Sequence, residues 1–209
     1  MLYYFLFINT IIANYDNYIF SRSWIPSFCT FNKQDICSNY SNINKFIIHG
    51  LWPTYSNGSW PQYCSNKEYN KEAFKMILPD MISQWSDNNQ NDIKLWTHEW
   101  KKHGTCSIGN IYIKNSNDYF ISGLWINMRL NDNYQMIINN IIPSNVNYYN
   151  KSYLQRIFNS GLVCKEYNQK YLLTELRNQV SLNFSIIEPS IDDKSCGSEI
   201  YLVPFNSPI

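Results

Sequence analysis

Six cysteines, Cys29, Cys37, Cys64, Cys106, Cys164 and Cys196, set the first limit on this fold. The set is even and holds no C-x-x-C pair. That excludes the metal-knuckle and thioredoxin readings and fits three disulfides formed in an oxidising compartment. Sequons at Asn39, Asn57, Asn150 and Asn183 agree, although an asparagine-rich chain produces such triplets by chance. The first thirteen residues, MLYYFLFINTIIA, carry no charge. They fall short of the roughly 20 apolar residues a membrane span needs and read as the apolar region of a secretory signal peptide, with Ala13 near the cut. No Lys or Arg precedes the run, so a buried first strand is the competing reading. We expect a signal peptide at 1–13, a single domain over 14–209 and no membrane span.

A length of 209 residues suits one domain with a sizeable core, and no internal repeat, heptad run or long linker divides it. The net charge of +1 provides no global basic field, so a nucleic-acid partner has to be held by a local site. YDNYIF (15–20) reads as a strand, rich in aromatic and β-branched residues. KFIIHGLWP (45–53) begins as an apolar strand and is expected to end at Gly50 and Pro53, both strand breakers. KEAFKMILPDMISQW (71–85) has helical spacing, with Phe74, Ile77, Leu78, Met81 and Ile82 on one side and a kink at Pro79. DIKLWTHEWKKHG (92–104) reads as a second helix, capped by Gly104. Tyr119 to Ile142 is mostly helical in pattern, and Ser152 to Phe158 makes another short helix. YLLTEL (171–176) and NFSIIEP (183–189) read as strands. Helices in the middle and strands at both ends indicate an α+β fold around an antiparallel sheet.

The three histidines fall in two of these segments, His49 in FIIHGLWP and His98 with His103 in HEWKKHGTC. The second segment misses the zinc-protease motif H-E-x-x-H by one residue. On a helix His98 and His103 diverge by about 140°, too far to chelate one zinc ion together. With His98 at zero, Lys102 falls at about 40° and Glu99 at about 100°. Trp96 and Trp100, at about 160° and 200°, can anchor the helix while the ionisable arc faces a cleft. A solvated charged face is the bland alternative, and it needs no histidine. Two imidazoles, with ordinary pKa values of about 6.5, can serve one as base and the other as acid. Lys102 can stabilise charge on a phosphoryl oxygen. RNA brings its own nucleophile, the 2′-hydroxyl, so such a set needs no metal.

FIIHGLWP and WTHEWKKHGTC resemble the two active-site segments of the ribonuclease T2 family of secreted, acid-type endoribonucleases. Their order and separation agree. So do SWIPSFC (23–29), similar to the family's early Trp-Pro-aromatic-Cys segment, and the Tyr119-Phe120 pair. The likeness runs from about Tyr15 to Cys196. It implies an α+β fold with a central antiparallel sheet, no cofactor or metal, and single-stranded RNA as substrate. Cleavage would pass through a 2′,3′-cyclic phosphate that is then hydrolysed to a 3′-phosphate.

By the same resemblance His103 is the general base for the 2′-OH and His49 the general acid for the departing 5′-oxygen. His98 holds the phosphate, and Glu99 with Lys102 stabilises the pentacovalent transition state. Trp52 and Tyr55 can each stack a base or pack the core. The implied disulfides are Cys29–Cys37, Cys64–Cys106 and Cys164–Cys196. Thr54 stands where relatives often carry an acidic or amide residue that reads a base, and Ser23 where many have Gln. The expected location is outside the cell or in the endo-lysosomal system. The runner-up reading is a secreted interaction or effector protein on the same scaffold with incidental RNase activity, which loss of a catalytic histidine would favour.

Overall fold

The computed structural model describes residues 14–31, 44–70, 72–86, 92–189 and 194–205. The leader at 1–13, Cys37 and the Asn39 sequon lie outside them. Among the described residues seven strands form one sheet: β1 (Asn17–Trp24), β2 (Phe46–Thr54), β3 (Tyr149–Asn150), β4 (Gly161–Tyr167), β5 (Lys170–Val180), β6 (Ile186–Pro189) and β7 (Glu199–Tyr201). The helices are α1 (Ile25–Phe31), α2 (Leu78–Gln84), α3 (Asp92–Glu99), α4 (Thr105–Ser107), α5 (Ser116–Leu130), α6 (Asp132–Ile138) and α7 (Lys151–Phe158). The long β5 is central, with β1 and β7 along one side, β4 and β6 along the other, and β2 at the edge outside β1. All pairings are antiparallel except β5 with β7. The α+β expectation holds, with a mixed sheet.

The strand expected to stop at Gly50 and Pro53 runs through both. As part of an edge strand, Pro53 is tolerated without a ladder N–H. Near Gly50 the ladder slips: Ser21 pairs with Gly50 and Arg22 with Ile48, leaving His49 as the extra residue of a bulge. Ile48 and Leu51, three apart, therefore both enter the same core.

The stretch 71–85 is not one helix. Phe74 sits in a 3-10 turn (Ala73–Met76), and Pro79 begins α2, in its first turn, instead of kinking it. The change of helix type turns the apolar face: Phe74 and Met81 are buried, while Leu78 and Ile82 are exposed.

The histidine helix also differs from its expected form, since it continues past Gly104. That residue has a right-handed φ of −62° and leads into α4. Its missing side chain serves packing, because a Cβ there would lie 2.4 Å from the Trp100 ring and 3.2 Å from that of Tyr119. Between α3 and α4, Trp100–Gly104 forms a π turn in which the Thr105 N–H reaches the Trp100 carbonyl, five residues back.

Two apolar cores hold this frame. One gathers Phe20, Ile48, Leu51, Trp85, Trp96, Trp100 and Tyr119; the other gathers Trp24, Phe46, Leu154, Phe158 and Leu176. Each buried Trp contributes on the order of 3–5 kcal/mol, the usual loss on truncation to Ala. Their indole N–H groups are matched as well. Trp85 donates to the His49 carbonyl at 2.9 Å, and Trp96 donates to the Trp85 carbonyl at 2.6 Å. Asparagine does the work of glycine at helix ends, with Asn131 and Asn159 in left-handed conformations after α5 and α7.

Cys64 is bonded to Cys106, tying the loop after β2 to α4, and Cys164 to Cys196, tying β4 to the segment before β7. Loops of this size are worth about 4 kcal/mol each in the chain-entropy account. Cys29 is disulfide-bonded too.

Candidate active site

Two local irregularities bring the histidines together. The bulge in β2 sets His49 beside Trp52 and Thr54 on one wall of a cleft, where Ile19 of β1 and Arg177 of β5 join them. The opposite wall is the α3–α4 helix, which supplies His98, Glu99, Lys102 and His103. The cleft measures about 400 Å³. A regular helix would hold His98 and His103 about 140° apart. The π turn adds a residue to that turn, and the two rings meet with centroids 6.5 Å apart. The expected divergence of the pair is thus corrected. Among the described residues, no group of three or more His, Cys, Asp or Glu is arranged to hold a metal ion.

Trp52 connects the two walls. Its ring lies 5.0 Å from that of His49 and 5.5 Å from that of His103. Its Nε1 donates to Glu99 Oε2 at 2.9 Å, and the Arg177 guanidinium sits over it at 5.4 Å. Gly50 makes the contact possible, since a Cβ there would fall 2.2 Å from both Glu99 Oε2 and Trp52 Nε1. Thr54 donates its hydroxyl to the Trp52 carbonyl at 2.9 Å. Tyr55, for which base stacking and core packing were both open, is partly buried and packs against the core. A tight turn, with Tyr55 N–H bonded to the Ser59 carbonyl at 2.8 Å, then brings the exposed Trp60 to the cleft.

The environment drives the ionisable groups apart. Burial disfavours a charged His49, yet the hydrogen bond and charge of Glu175, with the charge of Glu99, outweigh it and raise its pKa. Burial, aided by the positive charges of Lys102, His98 and His49, pushes His103 down to about 3. The Nδ1 of His103 is buried with no hydrogen-bond partner. His98 is lowered too, by burial first and then by Lys102 and His49. Burial lifts Glu99 to about 7 against the pull of His49, the Trp52 hydrogen bond and Lys102. Glu175 resists its own burial: His49 and Arg177 hold it down at about 2. Opposite shifts keep one imidazole charged and the other neutral at the same pH, as a paired acid and base require.

Sequence reasoning missed Glu175 and Arg177. The strand reading of 171–176 stopped before Arg177 and gave Glu175 no role. The available signal was an opposite-charge pair two residues apart in a strand, which places both side chains on one face.

Oppositely poised imidazoles, a lysine and a buried carboxylate in one cleft of an α+β frame are suited to acid–base chemistry on an anionic group. The chain belongs to the ribonuclease T2 family, whose sequence model matches residues 15–196. Ribonuclease DdI of Dictyostelium discoideum is 35% identical over 137 residues, which is 66% of this chain and 60% of that protein. The intracellular ribonuclease LX of Solanum lycopersicum is 31% identical over 159 residues, 71% of this chain and 63% of that protein. The match thus spans about three fifths of the length of these curated relatives.

Among solved structures, RNase NT in complex with 5′-AMP superposes with a TM-score of 0.79 at 24% identity, covering 92% of this chain and all of that one. Ribonuclease MC1 from bitter gourd seeds gives 0.79 at 22% identity, covering 90% and 100%. At these identities the likeness shows the fold. No helix among the described residues is long and apolar enough to cross a membrane.

Proposed function

We propose that this protein is a metal-independent endoribonuclease that cleaves single-stranded RNA by transphosphorylation. The observation that carries the reading is the convergence of His49, His98, Glu99, Lys102 and His103 on one cleft. His103, held neutral by burial, takes the proton from the 2′-hydroxyl. The 2′-oxygen attacks the adjacent phosphorus and closes a five-membered ring. His49, held charged beside Glu175, gives its proton to the departing 5′-oxygen. Lys102 and His98 hold the phosphate, and Glu99 with Lys102 stabilises the pentacovalent state. Hydrolysis of the cyclic product reverses the two histidine roles. Exposed Trp60, with Trp52, offers faces for base stacking.

The family names support this, and so do the ligands of the fold neighbours: RNase NT holds 5′-AMP, and MC1 variants hold 5′-GMP and 5′-UMP. Disulfides at Cys64–Cys106 and Cys164–Cys196 support a place in the secretory pathway, outside the cell or in the endo-lysosomal system. Loss of a catalytic histidine would favour the interaction-protein reading, and His49, His98 and His103 are all present.

The test is a digest of a defined oligoribonucleotide with EDTA present, its termini identified by mass spectrometry. Cyclic phosphate and 3′-phosphate ends are expected, with no cleavage of the matching DNA. Products bearing 5′-phosphates, or equal activity on DNA, would overturn the reading.

A further inference from the structure

The imidazole assigned as proton donor is gripped by a residue far from either histidine segment. His49 Nδ1 lies 2.7 Å from Oε1 of Glu175, 126 residues along the chain. The other carboxylate oxygen is fixed as well. It accepts from Arg177 Nε at 2.9 Å, from Arg177 Nη2 at 2.6 Å and from Ser21 Oγ at 3.1 Å. The Glu175 side chain is only 13% exposed, so the acceptor is immobile, while that of His49 is 39% exposed in the cleft. With Nδ1 donating to Glu175, Nε2 is the nitrogen left to face substrate. It carries a proton only when the ring is cationic.

We propose that Glu175, clamped by Arg177 and Ser21, is the positioning residue of the acid step, fixing the His49 ring so that Nε2–H is delivered to the leaving 5′-oxygen. The inference rests on His49 being the general acid. In the balanced step, the 2′-O–P bond forms and the P–O5′ bond breaks. His103 gains the 2′-hydroxyl proton, and His49 passes its Nε2 proton to O5′ and becomes neutral. Glu175 stays a carboxylate throughout. The other charged groups that face His49 are Arg177 on β5, Glu99 on α3, and His98, Lys102 and His103 on the opposite wall. Glu175 is the one that touches the ring through a hydrogen bond.

A residue that merely anchors the strand would slow every substrate alike. A residue that acts through the acid matters only when the leaving group needs a proton. The experiment compares wild type, Glu175→Gln and His49→Ala on uridylyl-3′,5′-adenosine and on uridine 3′-(4-nitrophenyl phosphate). The nitrophenolate of the second ester departs without protonation. Glu175→Gln should lower kcat on the dinucleotide by at least ~10-fold, less than the ~10²–10⁴-fold a general acid itself contributes. Its KM there should stay near wild type, and the aryl ester should react at close to the wild-type rate. The alkaline limb of kcat/KM on the dinucleotide should move to lower pH.

His49→Ala should show the same selectivity, larger. Arg177→Gln frees the carboxylate without touching His49 and should show it in weaker form. It serves as the second variant if Glu175→Gln does not fold. Equal losses on both esters with an unmoved alkaline limb, while His49→Ala still discriminates, would overturn the role of Glu175 alone. Failure of His49→Ala to discriminate would instead remove the acid assignment itself.

Discussion

Ser21 and Arg22 are neighbours on β1 and point to opposite faces of the sheet, each into its own buried polar cluster. Ser21 joins Glu175, Arg177 and His49 at the cleft. Arg22, fully buried, pairs on the other side with Asp132 through Nε at 2.7 Å and Nη2 at 3.2 Å. Its remaining donors reach Asn178 at 2.6 Å, Ser160 at 3.0 Å and the carbonyls of Phe20 and Leu176. The alternation of β5 repeats the division, with Glu175 and Arg177 toward the cleft and Leu176 and Asn178 toward Arg22. Each Arg22 nitrogen is matched. In the cleft, His103 Nδ1 is buried without a partner, and Glu99 is forced up to about 7. A matched buried charge holds the sheet together. An unmatched one beside an open cleft is available to a ligand.

Mutation of each cluster should break a different property. His103→Ala should cut kcat/KM by ~10²–10⁴-fold, which is about 3–5 kcal/mol of transition-state stabilisation. It should cost far less folding stability, because Nδ1 has no hydrogen bond to lose. Steady-state kinetics and urea unfolding on one preparation check both halves. Arg22→Ala should do the reverse. It strands Asp132 among its neighbours and should cost about 3–5 kcal/mol in urea unfolding. Activity per folded molecule should be unchanged. A folded Arg22 variant as slow as His103→Ala would erase the distinction between the two faces.

The residues of both cleft walls were legible in the sequence because three histidines, a glutamate and a lysine crowd into two short segments. Their geometry was less so. An ideal helix separates His98 from His103, and only the π turn over 100–104 closes the gap; no residue type announces such a turn. Gly50 and Pro53 read as strand ends because one sequence does not reveal that β2 is an edge strand or that its partner slips by one residue. Arg22, Asp132, Asn178 and Ser160 are spread over a large part of the chain, so their network becomes visible only when the sheet and α6 meet. Glu175 was hidden in the same way, by its distance in sequence from His49. The apolar face of 71–85 misled because a 3-10 turn changes the residues per turn just before α2.

Gly50→Ala tests the contact between strand and helix at intermediate magnitude. The added methyl falls between Trp52 Nε1 and Glu99 Oε2, 2.2 Å from each. Overpacking of this kind costs about 1–3 kcal/mol of stability. The larger consequence should be kinetic, since the displaced pair separates the two walls that carry His49 and His103. A variant that lost stability but kept full kcat would show that the Trp52–Glu99 contact supports the fold and not the cleft.

The smallest effect concerns proton linkage at Glu99. Its ordinary pKa is 4.5 and its folded value about 7, so between these values the folded state holds a proton that the unfolded chain lacks. This contribution to stability is complete below pH ~4.5 and is lost as pH rises through ~7. His103 and Glu175 run the other way. Their folded values of about 3 and about 2 lie below the ordinary 6.5 and 4.5, so their contributions are lost as pH falls. Glu99→Gln keeps an acceptor for Trp52 and has no charge to bury. It should therefore be more stable than wild type at pH 8 by on the order of 1 kcal/mol, with the gain gone by pH 4. Its activity should fall, because the carboxylate that stabilises the transition state is missing. Asp132→Asn, in the matched cluster, should destabilise at pH 8. If Glu99→Gln also destabilised at pH 8, the Glu99 charge would be as well compensated as that of Asp132, and the difference between the two faces of the sheet would not be one of unmatched charge.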